Sequence, residues 1–341
     1  MSEALPADAL ERYLTAHVPG DWRDLSMRQY VGGQSNPTFF VKGRGGEAVL
    51  RKQPAGRLLP SAHAVDREYH VMQALDGSGV PVPRMLHYCT DASVIGTPFY
   101  LMEHVQGRVN RDALVESASP QMRAAMYDAM NETLARLHTV DPVARGLGGY
   151  GRAGNYFARQ IDRWSRQYRE SETHTIAAMD ELMRRLPGMV PQDDRASIVH
   201  GDYRIENLIY HPSRPTVVAV VDWELSTLGH PLADLAYNCF VYRLPRHAFG
   251  GLQGVDLAAY GIPSEAEYAA RYIERTGIRP AASWGFYIAF SLFRLAAILQ
   301  GVLRRALDGN ASSPDGVQRG GLAPLCAETA LAALDDSPKV E

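Results

Sequence analysis

Residues 198–224 read IVHGDYRIENLIYHPSRPTVVAVVDWE, and three polar side chains in this stretch decide the predicted fold. Asn207 follows Asp202 by five positions, and a short apolar run leads into the HGD motif that contains Asp202. The β-rich run TVVAVV leads directly to Asp222. The sequence therefore predicts that one strand delivers a carboxylate with an amide, and that a second strand delivers another carboxylate beside them.

This spacing matches the chemistry of phosphoryl transfer. The catalytic loop of kinases has an Asp and an Asn five positions apart, with a further Asp on the next hairpin. A carboxylate such as that of Asp202 orients an attacking hydroxyl and accepts its proton, whereas Mg²⁺ prefers oxygen ligands such as Asn207 and Asp222 supply. The alternative, a hairpin whose Asp and Asn cap turns, explains less of the order and spacing.

The length and charge of the chain limit what it does. A chain of 341 residues suggests two domains, or one domain of two lobes. Its 35 Lys+Arg against 38 Asp+Glu, a net charge of −3, argue against a protein that coats nucleic acid or an anionic membrane. The three cysteines are far apart and predict neither a disulfide framework nor a zinc site. We expect no nucleic-acid partner and no membrane partner.

Two segments bear on the location of the protein. The first twenty residues have no basic stretch followed by an apolar run, so we expect no secretory signal and a cytoplasmic protein. Residues 284–303, WGFYIAFSLFRLAAILQGVL, are almost long enough to span a bilayer. Arg294 lies in the middle of this run, where a charge costs about 2.5–3.5 kcal/mol on insertion scales. We therefore predict a buried helix of a large core.

The pattern of apolar residues changes along the chain. Residues 27–103 are rich in short β-branched and aromatic runs joined by Gly-containing turns, with a helix predicted from about residue 64 to 75. Beyond Val105, apolar residues recur every three or four positions, which predicts helices. The chain is thus expected to divide near residues 103–107 into a small sheet-rich part and a larger helical part.

These motifs resemble a known family. The segments HGDYRIEN, VVDWE and LSTLGHPLADLAY are similar to the aminoglycoside phosphotransferase/choline kinase superfamily. The chain is especially similar to the branch found alone in bacteria and fused to acyl-CoA dehydrogenases in animals, of which VLRKQPAGRLLPSAHAVDREY and FSLFRLAAILQG are typical. The resemblance covers about residues 29–305. It implies an α+β, protein-kinase-like bilobal fold, with a nucleotide-binding N-lobe at 1–104 and a helical C-lobe at 105–341.

The resemblance also implies which residues hold the phosphates of ATP. Gly33 and Ser35 lie in a turn whose backbone N–H groups would cover the phosphates, although a plain hairpin turn is the alternative. Arg51 on the third strand would bind them directly. A strand alternates its faces, so only one of Arg51 and Lys52 points into the cleft, and the alignment favours Arg51. Glu68 on the following helix is the expected ion-pair partner of Arg51.

The same resemblance assigns the remaining positions. Backbone groups of Glu103 and Val105, at the hinge, would bind adenine. Asp234 is expected to cap or brace the catalytic loop, and His200 is expected to be a buried residue that supports this loop. Arg204 lies inside the loop and would either contact substrate or pair with a neighbouring acid. Only eleven residues separate Asp222 from residue 233, which leaves no room for the long activation loop of a regulated protein kinase.

The sequence therefore predicts a Mg²⁺- and ATP-dependent phosphotransferase that acts on a hydroxyl of a small molecule. In this prediction Asp202 is the catalytic base, while Asn207 and Asp222 hold Mg²⁺. Two alternatives stay open: an aminoglycoside-type antibiotic kinase, and a nucleotide-binding pseudokinase without activity. The similarity to the fused branch implies a hydroxylated acyl-CoA, or a related acyl compound, as the acceptor. Basic residues throughout the helical part, in place of an acidic groove, argue against a polycationic antibiotic.

Overall fold

The structure is a computed structural model. It describes residues 5–30, 36–54, 64–152, 154–309 and 315–336. The chain divides into two compact units. The first unit comprises Met1–Gln106 and Val218–Glu224, and the second comprises Gly107–Val217 and Leu225–Glu341.

An antiparallel sheet forms the centre of the first unit. The elements of this unit are helix α1 (Ala7–His17), strands β1 (Ser26–Gln29), β2 (Thr38–Lys42) and β3 (Glu47–Lys52), helix α2 (Val65–Leu75), and strands β4 (Met85–Cys89) and β5 (Phe99–Glu103). The five strands are ordered β1-β2-β3-β5-β4, so β3 has a partner on each side. Neighbouring strands pair antiparallel, and Arg51 of β3 lies opposite Thr38 of β2 and Tyr100 of β5.

Alternating burial explains how this sheet packs. In β2, Phe39 and Val41 are buried while their neighbours are more exposed, as expected for a strand with one face on a core. Helix α1 covers this core with Leu10 and Leu14, which are four positions apart and so lie on one helix face. The turn between β2 and β3 packs closely, because a Cβ at Gly43 would lie 2.6 Å from the Cα of Trp22.

The second unit is mainly helical. Its short strands are β6 (Arg108–Val109), β7 (Ser197–Val199), β8 (Leu208–Tyr210) and β10 (Thr227–Gly229), whereas β9 (Val217–Val220) starts here and continues into the first unit. Strand β6 pairs with β8, and β7 pairs with β10, both antiparallel. The helices are α3 (Pro120–Thr139), α4 (Tyr156–Ser171), α5 (Ala177–Arg185), α6 (Pro231–Cys239), α7 (Leu257–Tyr260), α8 (Glu265–Thr276), α9 (Trp284–Leu307), α10 (Gly316–Gly320) and α11 (Ala323–Asp335).

Helix α9 is the central element of the second unit. By length and composition alone it could cross a membrane, but 83% of its most apolar 18-residue window is buried inside the protein. Close backbone approaches hold its neighbours against it: a Cβ at Gly285 would lie 2.0 Å from the carbonyl oxygen of Ala333 in α11. A Cβ at Gly320 in α10 would similarly lie 2.5 Å from the Cβ of Leu303. The predicted buried helix is confirmed.

Candidate active site

Arg51 is the centre of a charged cluster in the first unit. Its Nε lies 3.1 Å from Oε2 of Glu68, and its Nη2 lies 2.7 Å from Oδ1 of Asp222 and 3.5 Å from Oε2 of Glu224. Lys52 follows it in β3, and its side chain is buried. Because adjacent residues of a strand point to opposite faces, Arg51 rather than Lys52 lies on the face with the three acids.

Burial and charge oppose each other at Arg51. Burial lowers the pKa of its guanidinium, but the negative charges of Glu68 and Asp222 more than offset this, so the pKa is raised above its ordinary value. Arg51 is therefore held as a cation with little exposure, since its side chain is only 11% exposed. Such a cation is fixed in place before any ligand arrives.

Glu68 of α2 is fully buried and is held by two further hydrogen bonds. The side-chain amide of Asn36 donates to Oε1 at 2.6 Å, and the hydroxyl of Tyr100 donates to Oε2 at 3.0 Å. Burial raises the pKa of Glu68, while the guanidinium of Arg51 and these two donors act in the opposite direction. The carboxylate thus uses both oxygens within the cluster and fixes the orientation of Arg51.

Asp222 adopts an unusual backbone conformation. Its φ is +67°, in the left-handed region that Asp and Asn tolerate better than most residues. One carboxylate oxygen, Oδ1, accepts from Arg51, and Oδ2 has no hydrogen-bond partner among the described residues. Asp222 is 35% exposed at its side chain, so the second oxygen is available to a ligand.

The predicted adenine-binding positions lie at the end of β5. The backbone N–H of Glu103 donates to the carbonyl of Arg84 at 2.9 Å, and is already used. The N–H of Val105 has no acceptor in the part of the chain that the structure describes. Gly33 and Ser35, predicted to cover the phosphates, lie outside the described residues, so their prediction stands on the sequence alone.

Asp202 and Asn207 form a second group, in the second unit. The amide Nδ2 of Asn207 donates to the backbone carbonyl and to Oδ2 of Asp202, at 2.9 Å in both cases. Both acceptors are oxygens, which fixes the amide with its NH₂ group toward Asp202. Oδ1 of Asn207 therefore points away from this pair, and it accepts no hydrogen bond from a described residue.

Asp234 holds the loop that contains Asp202. From α6, its carboxylate accepts the backbone N–H of His200 at 2.5 Å and of Gly201 at 2.8 Å, and Nε2 of His138 lies 3.4 Å away. Burial favours the neutral acid, but His138 and the backbone donors outweigh it and lower the pKa of Asp234. The predicted bracing role of Asp234 is confirmed.

The loop also depends on its glycine and its histidine. Gly201 has φ +82°, and a Cβ there would lie 2.5 Å from the carbonyl oxygen of Leu225, so another residue would distort the turn. His200 is fully buried, and its Nδ1 accepts the backbone N–H of Asp202 at 3.2 Å. This contact confirms that His200 supports the loop from within.

Arg204 pairs with acids of its own loop. Its Nη1 lies 2.7 Å from Oε2 of Glu206, and its Nε lies 3.4 Å from Oδ1 of Asp202. The sequence left open whether Arg204 meets substrate or an acid, and the structure shows the pairing with Glu206. Contact with a substrate remains compatible with this pair, because Arg204 and Glu206 both line a pocket.

This pocket was not predicted from the sequence. It lies within the second unit, and its walls combine aromatic and apolar side chains with a few polar ones. Among the described residues Arg111 has no ion-pair partner, so the lining carries two guanidinium groups against the single carboxylate of Glu206. The lining residues are Arg111, Ala113, Tyr127, Met130, Arg204, Ile205, Glu206, Asn238, Phe240, Val241 and Phe249.

Comparison with known proteins identifies the family. Residues 26–275 match the model of the family described as "Phosphotransferase enzyme family". The chain belongs to this family. The phosphotransferase is also 47% identical over 333 residues to mouse "Acyl-CoA dehydrogenase family member 10", which covers 96% of this chain but 31% of that protein. The chain thus spans about a third of the length of this relative, and the resemblance to the fused branch is confirmed.

Two solved structures share the fold of this phosphotransferase. A Ralstonia eutropha protein, provisionally described as an aminoglycoside phosphotransferase, matches with a TM-score of 0.89 and 47% identity over 98% of this chain and 100% of that one. Aminoglycoside phosphotransferase APH(4)-Ia, in a ternary complex with ADP and hygromycin B, matches with a TM-score of 0.63 and 16% identity over 96% of this chain and 100% of that one. The predicted α+β, kinase-like fold is confirmed, and membership of the phosphotransferase family supports a kinase that acts on small molecules.

The two predicted magnesium ligands, Asn207 in the second unit and Asp222 in the first, each carry an oxygen of the kind that Mg²⁺ binds. No group of three or more His, Cys, Asp or Glu side chains that could hold a metal occurs in the described ranges. Mg²⁺ does not need such a group, since it usually takes one or two protein oxygens together with phosphates and water. Oδ1 of Asn207 and Oδ2 of Asp222 are oxygens of this kind without protein donors among the described residues.

Several arginines that the sequence suggested for an anionic acceptor have partners within the protein. Arg243 pairs with Glu265 and Asp336, and Arg246 forms two hydrogen bonds with Asp112. Arg271 and Arg275 both contact Asp128. The aromatic residues of α9 are buried, as expected for core packing, and so do not offer an acyl chain an open surface: Trp284, Phe286, Tyr287, Phe290 and Phe293.

Proposed function

We propose that this phosphotransferase transfers the γ-phosphoryl group of ATP to a hydroxyl group of a small molecule, with Mg²⁺ as the metal cofactor. The observation that carries the proposal is the Asp202–Asn207 pair, with both 2.9 Å hydrogen bonds, on a loop held by Asp234. A base and an amide oxygen supported in this way suit phosphoryl transfer, in which positioning supplies most of the catalysis.

Asp202 is the proposed catalytic base. Its Oδ2 receives the amide of Asn207 and its Oδ1 is near Arg204, which fixes the direction in which the carboxylate meets an acceptor hydroxyl. The carboxylate aligns the hydroxyl and takes its proton as the oxygen attacks the phosphorus. Its side chain is 19% exposed, so a small molecule has access to it.

Arg51 is the proposed ligand of the nucleotide phosphates. Three acids hold its guanidinium in one orientation, so it loses little conformational freedom when it binds a phosphate oxygen. The backbone of Glu103 and Val105 would bind adenine, and the turn with Gly33 and Ser35 would cover the phosphates. The complex of APH(4)-Ia with ADP and hygromycin B supports the use of a nucleotide at a fold of this kind.

Asn207 and Asp222 are the proposed protein ligands of Mg²⁺. Each offers one oxygen that no described donor occupies. Bound Mg²⁺ would neutralise the negative charge of the phosphates. Asp222 meanwhile keeps its other oxygen on Arg51, so that this one residue links the metal to the cation that binds the phosphates.

A hydroxylated acyl-CoA is the proposed acceptor. The proposal rests on the similarity to proteins named for acyl-CoA dehydrogenases, and the pocket beside Arg204 provides apolar walls with two guanidinium groups. An aminoglycoside-type antibiotic kinase is less well supported, because a polycation would meet Arg111 and Arg204 there. We further propose that residues 1–104 bind nucleotide, that residues 105–341 bind the acceptor, and that the protein acts in the cytoplasm.

A panel of acceptors tests this proposal. The enzyme is incubated with ATP, Mg²⁺ and 3-, 4- or 5-hydroxyacyl-CoAs, beside kanamycin, choline and homoserine, and the products are measured by mass spectrometry. We expect a phosphorylated acyl-CoA with the wild type, formed at least a hundredfold more slowly by Asp202→Asn. A much higher kcat/KM for kanamycin or choline would overturn the acyl-CoA acceptor and leave the kinase intact. ATP binding without turnover of any acceptor would favour a pseudokinase.

A further inference from the structure

Two arginines of the second unit lie against the same indole ring. The Cζ of Arg163, from α4, lies 5.2 Å from the centre of the Trp164 ring, and the Cζ of Arg294, from α9, lies 5.6 Å from it. Arg294 also lies 5.4 Å from the ring centre of Tyr237 in α6. Helices α4, α6 and α9 thus bring two positive charges to aromatic surfaces that attract cations but do not neutralise them.

Neither guanidinium has an acidic partner in the part of the chain that the structure describes. Arg294 is only 7% exposed, yet it forms no hydrogen bond or ion pair with any described residue. Its nitrogens are not among the fully buried atoms that lack a partner, so its remaining exposure includes these donors. Arg163 is exposed, and no acid among the described residues pairs with it. A buried cation with no counter-charge is costly, which favours an anionic ligand at this position.

A third hydrogen-bond donor, the hydroxyl of Tyr156, lies near the two guanidinium groups. Tyr156 lies seven residues before Arg163 on α4, two helical turns away and therefore on the same face. Its hydroxyl also has no partner among the described residues and is not fully buried. Burial raises the pKa of Tyr156 to about 12, and the charges of Arg294 and Arg163 oppose this rise, which agrees with their proximity.

The neighbouring acids are engaged elsewhere. Asp234, the acid whose charge also reaches Tyr156, accepts the N–H groups of the loop that contains Asp202. Helix α6 packs on this loop, because Asn238 donates to the carbonyl of Tyr203 at 3.2 Å. Tyr237, which contacts Arg294, lies in this same helix. The unpaired cations are therefore close to the loop of the proposed base.

We propose that Arg163, Arg294 and Tyr156 form a binding site for a phosphate group. Two guanidinium groups provide the forked donors that suit phosphate oxygens, and the tyrosine hydroxyl adds one more. The aromatic rings of Trp164 and Tyr237 hold Arg294 in position before the ligand binds. The phosphate belongs either to the acceptor molecule or to a free anion. Assignment to the acceptor rests on the proposed function, whereas the anion site itself does not.

Phosphate binding by matched variants tests the site. The dissociation constant of inorganic phosphate is measured by titration calorimetry for the wild type and for Arg163→Met, Arg294→Met and Arg166→Met. Arg166 lies on α4 and pairs with the exposed Asp162, so its loss changes the net charge equally without touching the site. Any binding at Arg51 is common to all variants. We expect at least tenfold weaker binding for Arg163→Met and Arg294→Met, and less than a twofold change for Arg166→Met.

Equal phosphate binding by all four proteins, or no phosphate binding by the wild type, would show that the proposed site is wrong. If Arg294→Met does not fold, as judged by circular dichroism, the exposed Arg163 carries the test with Arg163→Lys as the conservative variant. Lysine keeps the charge without the fork, so we expect an intermediate loss.

Kinetics distinguish the two sources of the phosphate. If the acceptor carries it, Arg163→Met raises the KM for a phosphate-bearing acceptor about tenfold at unchanged kcat. If the ligand is a free anion, this KM is unchanged while phosphate binding is lost. Either result is consistent with the proposed phosphate site. If the proposed kinase activity is wrong, the calorimetric measurement of phosphate binding still tests the site.

Discussion

The side-chain amide of Asn207 donates to both the backbone carbonyl and the carboxylate of Asp202. The side chain of Asn207 thus links two positions of the same loop and orients the carboxylate of Asp202, the proposed base. Its own Oδ1 points away from Asp202. This relationship makes the two residues interdependent, since removal of either changes the position of the other.

Replacement of Asp202 by Asn should affect chemistry more than binding. The shape of the side chain is kept while its negative charge is removed, so we expect kcat to fall by about 10²–10⁴, the range for loss of a general base. The affinity for ATP, measured by titration calorimetry, should stay within a few-fold of wild type. Glu206→Gln serves as the control, as it removes a nearby acid. An unchanged kcat in Asp202→Asn, with loss of turnover in Glu206→Gln, would reverse the assignment.

Asp222 should be needed for turnover and much less for stability. Asp222→Asn tolerates the positive φ of this position, so we expect loss of turnover with a melting temperature close to wild type. Asp222→Ala should also lose turnover. Its free energy of unfolding should fall by about 1–2 kcal/mol, because the left-handed conformation is unfavourable for alanine. Turnover at ordinary Mg²⁺ and melting curves measure both effects. Near wild-type turnover by either variant contradicts the proposed metal ligand.

Glu68 should contribute strongly to stability. Glu68→Ala leaves the buried guanidinium of Arg51 without its nearest buried acid and leaves Asn36 and Tyr100 without an acceptor. Breaking a buried pair costs about 3–5 kcal/mol, and Asp222 and Glu224 reduce this toward the lower limit. The free energy of unfolding in urea measures the loss. A change below about 1 kcal/mol would mean that the cluster does not hold the first unit together.

Asp234 should make the free energy of unfolding depend on pH under acidic conditions. Its folded-state pKa lies below the ordinary value of 3.8, so its contribution is complete above that value and is lost as the pH falls through the folded pKa. Asp234→Asn should cost about 1–3 kcal/mol at pH 7, because charge-assisted hydrogen bonds to the loop are lost. The difference from wild type should shrink below about pH 4. A difference that stays constant between pH 7 and pH 3 would exclude this linkage.

The site residues that belong to short sequence motifs could be predicted from the sequence. Asp202, Asn207 and Asp222 occur at fixed spacing after apolar runs, and the strand alternation that separates Arg51 from Lys52 follows from geometry. Asp234 was predicted as a brace from its motif, and the structure adds which N–H groups it accepts. In these cases short-range patterns carry the information.

The parts that depend on helix packing could not be predicted in this way. Arg163 and Arg294 are 131 residues apart, and only the packing of α4 against α9 brings Arg294 to Trp164, the residue next to Arg163. Arg243 pairs with Glu265 and Asp336, 22 and 93 residues away, and Arg246 pairs with Asp112, 134 residues away. The sequence does not indicate which of these arginines has an acidic partner. The position of Arg111 in the pocket has no sequence signal, because a single exposed arginine in a loop is ordinary.

The packing of α10 and α11 on α9 has a consequence for biosynthesis. During translation the 24 residues of α9 leave the ribosome before the segments that cover them, and the contacts of Gly285 and Gly320 form only when residues 316–335 have followed. Until then an apolar helix is exposed to chaperones, to other nascent chains and to the machinery that inserts helices into membranes. A chain shortened after residue 309 would stay in this condition, and we expect it to aggregate although every residue of the proposed site is present.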